Sequence, residues 1–308
     1  MSSSIIKVGF LISYDWELLK NALPNVYNDA DVIYLAIDKK RLTWNGNLFD
    51  FDEIAFKNLI KEIDINNKIN VYEADFYQEN LTTMQCEVRE RNMLATQMGE
   101  NGWHIQLDAD EYFIDFKGFT DYLKKISPNP KATQKPINVC ANLLNLFKKI
   151  PHHYLCIENN SNNLESIQVA TNVPIYETGR RNGHFNHYSP FFMIHDTWAR
   201  TEQEIWQKIS NWGHKNDFDI QKYFQFWKSI DENNYKEVKN FHPIQPVVWQ
   251  KLLLVKANNI QEIIKNIEIT HFTSDFIYNF KRKINNNRNF ARLKALWSKI
   301  FSKISANK

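Results

Sequence analysis

The chain has 308 residues, of which 43% are hydrophobic and 14% aromatic, so it suits one large α/β domain or two closely associated ones and is not a disordered chain. Eight glycines and nine prolines exclude collagen-like and low-complexity architectures, and the apolar runs are far shorter than the roughly 20 residues of a membrane span. The net charge is +3, but nine of the 38 basic residues and none of the 35 acidic ones lie in 279–308. The rest of the chain is therefore net acidic.

The first 126 residues alternate between strand-like and helix-like patterns. Apolar runs rich in β-branched residues predict strands at 5–12, 31–38, 68–72 and 103–107. Helical spacing of apolar residues predicts helices between them, over 16–23, 52–63 and 84–98, with the first helix ending at Pro24. This alternation predicts βαβ units and an α/β fold with a mostly parallel, Rossmann-like sheet flanked by helices.

The rest of the chain divides at Ser127–Pro136, which holds three prolines in ten residues. We therefore predict a first half over 1–126, a second half of the same domain over 137–278, and a tail over 279–308. In the second half, Thr201 and Glu204 form a capping-box pattern that opens a helix. Its buried stripe is predicted to be Ile205, Ile209 and Trp212.

Two carboxylates follow the fourth predicted strand directly, in the motif Asp108-Ala109-Asp110-Glu111. Ligands of open α/β sheets bind beyond the carboxyl ends of the strands. Two carboxylates at i and i+2 just past such an end can both reach one hard divalent cation, which also takes oxygen ligands from phosphates. An isolated pair of this kind is often only a solvated turn, and here the strand before it favours a site.

With this motif the sequence resembles a known family. Glu90-Arg91-Asn92, followed by a helix and then by residues 102–111 (GWHIQLDADE), is similar to the "aRN … gdWil.lDaDE" stretch of family 2-like glycosyltransferases of the bacterial glycan and lipopolysaccharide type. The resemblance implies a GT-A fold and transfer of a sugar from a nucleotide-diphospho-sugar. The opening strand and the second strand depart from the family pattern, so the resemblance is strongest over residues 84–113.

The resemblance also implies roles for residues of the nucleotide-binding half. Asp108 and Asp110 would hold Mn²⁺ or Mg²⁺ on the diphosphate of the donor, a UDP-sugar in the first instance. Arg91 would lie near the phosphates, with Lys39 and Arg41 as further sources of positive charge. The carboxylate implied to contact the nucleoside is Asp38, and the residues implied to frame its base are Ser13 and Tyr14.

In the acceptor half the resemblance implies that His195 completes the metal shell. An inverting transferase also needs a carboxylate that takes the proton of the acceptor hydroxyl. Glu177 and Asp196 are the two candidates, and an ordinary salt bridge is the alternative for each. Trp198 is a candidate platform for a sugar ring, although most tryptophans belong to a core.

These observations predict a metal-dependent, inverting glycosyltransferase that acts on a glycan or a lipid-linked acceptor. Two alternatives stay open: a nucleotidyltransferase or phosphohydrolase that uses the same carboxylates, and a non-catalytic glycan-binding scaffold. Nucleic acid is not an expected partner, because the body is acidic and no recognition motif is present.

The last expectations concern the compartment and the tail. Three cysteines without a CxxC pair and an N-terminus without a signal-like stretch predict a soluble cytoplasmic protein. Residues 279–308 combine nine basic residues with an apolar stripe, which predicts a helix that lies at the inner face of the membrane. The stripe consists of Phe290, Leu293, Trp297, Ile300 and Ile304. Alternatively the stripe packs on the body of the protein.

Overall fold

One mixed sheet of ten strands runs through the molecule. The computed structural model describes residues 5–158, 164–211, 217–268, 276–290 and 293. The strands are β1 (Ile6–Ile12), β2 (Val32–Asp38), β3 (Ile69–Ala74), β4 (Trp103–Asp108), β5 (Glu111–Phe113), β6 (Ile137–Ile150), β7 (His153–Glu158), β8 (Ser166–Thr171), β9 (Phe185–His195) and β10 (Lys251–Lys256). They follow the order β10-β7-β6-β8-β4-β1-β2-β3, while β9 pairs with β5 and β6. The predicted α/β class is confirmed, and the arrangement is compatible with a Rossmann-like fold.

Helices flank the sheet at the positions where the sequence places apolar stripes. They are α1 (Leu19–Tyr27), α2 (Glu53–Ile63), α3 (Thr83–Met98), α4 (Phe116–Ile126), α5 (Glu202–Asn211), α6 (Ile220–Ser229), α7 (Ile260–Asn266) and α8 (Phe276–Asn285). Helix α3, which carries the Arg91 motif, begins with a capping box between Thr82 and Gln85. The capping box predicted at Thr201 and Glu204 is also formed.

The predicted end of the first helix at Pro24 is wrong. A short 3-10 helix (Trp16–Leu18) leads into α1, which continues through Pro24 to Tyr27. Proline removes one backbone hydrogen bond from a helix, but Pro24 lies on the exposed face, where water can satisfy the freed carbonyl group. Leu23 and Val26 are fully buried and hold the next turn against the core.

The strand order changes direction between β1 and β4. Strands β3, β2, β1 and β4 are parallel neighbours, and the chain reaches β4 only after it has built β2 and β3 on the other side of β1. The pairing of β1 with β4 sets Leu11 opposite Asp108 at the carboxyl edge. A crevice opens at such a switch point because the connections leave in opposite directions.

The second half of the chain extends this same sheet. Strand β8 is antiparallel to β4, and the long strand β6 pairs with both β8 and β9. A three-residue ladder joins β5 to β9 and sets Glu111 opposite His195. One continuous core contains buried residues of both halves, such as Leu107 and Leu144. Strands from the second half therefore continue the sheet beyond β4.

Parts of the predicted tail and of the stripe predicted for the helix at Thr201 lie outside the described residues. Ile205 and Ile209 are fully buried as predicted, whereas Trp212 lies outside the described residues. Phe290 and Leu293 are each 54% exposed, and the remainder of the predicted stripe, Trp297, Ile300 and Ile304, again falls outside. Among the residues described, none of the helices combines the length and the apolar character needed to cross a membrane.

Candidate functional site

A cavity of about 670 Å³ opens at the carboxyl edge of β1 and β4. Seven residues that the sequence analysis proposed for the site line it together: Ser13, Tyr14, Asp38, Asp108, Asp110, His195 and Trp198. Its lining includes seven carboxyl side chains, but only one lysine and no arginine among the described residues. The positive charges that balance these acids therefore lie mostly behind the surface of the cavity.

Two buried arginines hold Asp108. The Arg91 guanidinium donates to its Oδ1 at 3.0 Å, and Arg180 Nη2 lies 3.0 Å from its Oδ2. Arg180 also donates to Glu111 Oε2 at 2.7 Å, so it joins two carboxylates of the motif. Burial raises the pKa of Asp108, but Arg180 and Arg91 outweigh this effect and leave its pKa below the ordinary value. Asp108 is therefore a fixed anion.

Asp110 is bound by cations from the second half of the chain. Its Oδ2 accepts hydrogen bonds from Arg200 and, at 3.0 Å, from Lys208. Burial raises its pKa, yet Lys208, His195 and Arg200 together hold the pKa well below the usual range. Arg200 also contacts Asp15 Oδ2 at 3.3 Å. Two neighbouring acids at the ends of β1 and β4 thus share one arginine.

His195 reaches the same carboxylate from the end of β9. Its Nε2 lies 3.7 Å from Asp110 Oδ1, too far for a hydrogen bond. Its Nδ1 lies 2.9 Å from Asn145 Oδ1, and Asn145 Nδ2 donates to Glu165 Oε2 at 2.7 Å. Burial is the main cause that lowers the pKa of His195 to about 4, so the imidazole is neutral at pH 7.

The other end of the cavity lies between the loop after β2 and the start of α3. Asp38 lines it, but its carboxylate is used by the backbone: Oδ1 accepts from Lys40 N at 2.8 Å and Oδ2 from Phe76 N at 2.9 Å. Trp44 Nε1 donates to Glu90 Oε2 at 2.5 Å. Burial raises the pKa of Glu90 to about 8, so this lining carboxyl group is mostly neutral at pH 7.

Three residues predicted to supply positive charge near the phosphates, Arg91, Lys39 and Arg41, do not line the cavity. The Arg91 side chain is 3% exposed and acts on the cavity through Asp108. Arg41 pairs with Glu53 and Glu73 and lies over the Phe51 ring at 4.6 Å. Its charge is therefore compensated away from the cavity, while the loop that follows it, Leu42–Asn45, forms part of the wall.

Neither carboxylate predicted as the base lines the cavity. Glu177 is exposed beside the tight turn between Thr178 and Arg181. Asp196 is 5% exposed, its Oδ1 has no hydrogen-bond partner among the described residues, and burial raises its pKa to about 7. Trp198 does line the cavity, although it is only 3% exposed.

Few side chains at the cavity are free to bind the predicted metal ion. Asp108 has both oxygens on arginines, and no group of three or more suitable side chains converges in the ranges that the structure describes. Asp110 Oδ1 and His195 Nε2 face each other, which leaves a pair of donors. A hard divalent cation can bind through one or two carboxylates and complete its shell with substrate phosphates and water, and the transition metal Mn²⁺ also accepts an imidazole nitrogen, so this pair fits Mn²⁺ better than Mg²⁺.

Several site residues were not predicted. Arg180, Arg200 and Lys208 carry the charges that balance Asp108 and Asp110, and Asn145 with Glu165 contacts His195. No spacing in the sequence links them, because the contacting residues lie 20 or more positions apart in the chain. No protein-family model matches the chain, and no curated protein is significantly similar to it.

Proposed function

We propose that this protein is a glycosyltransferase that moves a sugar from a nucleotide-diphospho-sugar, a UDP-sugar in the first instance, to a glycan or lipid-linked acceptor. The observation that supports this best is the cavity at the switch point of the sheet, which Asp38, Asp108, Asp110 and His195 line. Crevices at this place in an α/β sheet bind nucleotides. A GT-A fold and the family resemblance are part of this proposal.

The charge of the cavity supports a donor that binds together with a cation. The described lining is rich in carboxylates, which repel a free diphosphate, and Asp108 and Asp110 stay ionised. A divalent cation on Asp110 and His195 would supply Lewis acidity to the leaving diphosphate. Lys208, which is 17% exposed in its side chain, adds a positive charge at the same wall.

Buried arginines hold the two carboxylates of this site in place before any ligand binds. Arg91 and Arg180 hold Asp108 from behind, and Arg200 fixes Asp110 against Asp15. Fixed charges stabilise a charged transition state without reorganisation at the moment of reaction. The nucleoside would lie toward Trp44 and the start of α3, and the acceptor toward Trp198 at the opposite wall.

Calorimetry with UDP and GDP, with and without Mn²⁺, tests the proposal. We expect Mn²⁺-dependent binding, weakened about tenfold or more by Asp110→Asn because an amide is a poor ligand for a hard cation. The exposed Asp121→Asn serves as the matched control and should bind like the wild type.

Turnover of a panel of sugar nucleotides then separates the reaction classes. Release of UDP with transfer or hydrolysis of the sugar supports the proposal. Release of inorganic phosphate would favour a phosphohydrolase, and a protein that binds no nucleotide under any condition would refute the proposal.

A further inference from the structure

His195, Asn145 and Glu165 lie on neighbouring segments of the sheet, and their side chains form a continuous chain of contacts. In the parallel pairing of β6 with β9, Asn145 stands directly beside His195. Glu165 precedes β8 on the other side of β6, where its carbonyl oxygen accepts from Leu143 N at 2.8 Å. The register of the sheet thus brings the three side chains together, and the distances of 2.9 and 2.7 Å between them are those of good hydrogen bonds.

The direction of these hydrogen bonds follows from what each group can donate. An amide nitrogen only donates, so the 2.7 Å contact of Asn145 Nδ2 with Glu165 Oε2 is a hydrogen bond that Glu165 accepts. The amide oxygen of Asn145 then faces His195 and can only accept. His195 must therefore carry its proton on Nδ1. A neutral imidazole has one N–H, so Nε2 presents a lone pair.

That lone pair faces Asp110. The 3.7 Å between His195 Nε2 and Asp110 Oδ1 separates two electron-pair donors with no proton to share. Free histidine favours the opposite tautomer, with the proton on Nε2, and this form would turn Nε2 into a donor toward Asp110. Asn145 and Glu165 therefore determine whether His195 Nε2 and Asp110 can bind a cation together or instead form a hydrogen bond with each other.

We propose that Asn145 and Glu165 are positioning residues that hold His195 in the Nδ1–H tautomer, so that its Nε2 and Asp110 together bind a divalent cation. Ligating histidines are oriented in this way by a partner on the other ring nitrogen. Use of the cation in sugar transfer rests on the proposed function, whereas the tautomer is a property of the protein alone.

Nitrogen-15 NMR of the histidine-labelled protein without ligands measures the tautomer, with the signal of His195 assigned from the spectrum of His195→Gln. We expect the proton on Nδ1 in the wild type and on Nε2 in Asn145→Leu, which has similar size and no hydrogen-bonding group. Glu165→Leu should shift the tautomer in the same direction, because Asn145 is then free to turn its amide. Glu165→Gln, whose side-chain oxygen still accepts, is the matched control and should keep the wild-type signal.

Mn²⁺ titration of the same variants gives the second measurement. Loss of the positioning contacts should weaken Mn²⁺ binding about 10- to 100-fold, while Glu165→Gln stays near the wild type. A wild-type proton on Nε2, or a tautomer that neither Asn145→Leu nor Glu165→Leu changes, would overturn the positioning role. If His195 has the expected tautomer but the protein does not bind Mn²⁺, the proposal that His195 and Asp110 bind a divalent cation is wrong. Glu165 is an exposed residue, so we expect its variants to fold. They can therefore decide the test even if Asn145→Leu does not fold.

Discussion

Replacing Arg180 by methionine should destabilise the protein strongly, because the side chain joins Asp108 and Glu111 behind the cavity. The side chains of Arg180 and Glu111 are 4% and 1% exposed, and methionine keeps most of the volume while it removes the charge. Loss of one partner from a buried ion pair costs about 3–5 kcal/mol. The unfolding entropy of about 2.1 cal/mol/K per residue converts this loss, over 308 residues, into a melting temperature about 5–8 °C lower.

The loss should also depend on pH. Burial raises the pKa of Glu111 to about 7, although Arg180 offsets part of this effect, so the wild type loses stability from Glu111 as the pH rises through 7. Without Arg180 the folded-state pKa of Glu111 moves higher still, and the loss continues to higher pH. The difference in melting temperature between wild type and Arg180→Met should therefore be larger at pH 8 than at pH 6.

Scanning calorimetry at both pH values measures these differences. Arg181→Met is the matched control, because Arg181 is the next residue in the chain and its side chain is exposed. It should change the melting temperature by little. Equal effects of the two substitutions, or a difference that does not change with pH, would contradict the role assigned to Arg180.

Two further predictions concern Glu90 and the tail. The raised pKa of Glu90 means that the wild type loses stability as the pH rises from about 4.5 through 8, so Glu90→Gln should gain in melting temperature relative to the wild type over that interval. Parallel profiles of melting temperature against pH would contradict this. The full chain should co-sediment with anionic liposomes at low salt, and binding should be lost at high salt and after truncation at Asn279, because each basic residue contributes about 1 kcal/mol near the surface. A full-length protein that stays in the supernatant at low salt would exclude the membrane role of the tail.

The sequence predicted the parallel part of the fold well, because its signals are local. The apolar runs of β1, β2 and β4 need no knowledge of their partners, and the carboxyl end of a parallel strand places Asp108 and Asp110 at one edge of the sheet. The prediction that the first helix ends at Pro24 was wrong, because the local rule about proline did not account for the buried residues that stabilise the last turn of α1. Tertiary packing overrides a propensity of this kind.

The partners of the site could not be predicted in the same way. Arg180 reaches Asp108 from a loop, and Lys208 reaches Asp110 from α5. Arg180 lies between β8 and β9 and Lys208 follows β9, and no pattern in the sequence marks the three-residue register in which β9 pairs with β5. Charged residues on a helix or in a loop usually face solvent, so their burial follows only from the assembled sheet.

The short ladder between β5 and β9 joins the two halves of the chain at the cavity. It joins Glu111 to His195, and the backbone N–H of Asp196 donates to the carbonyl of Asp110 at 2.9 Å, so the walls of the cavity meet only after the chain between them has closed. Contacts so distant in sequence form slowly, because the loop must lose its entropy first. A ligand that spans Asp110 and His195 would add its binding free energy to this closure, so saturation with it should stabilise the folded protein as a whole.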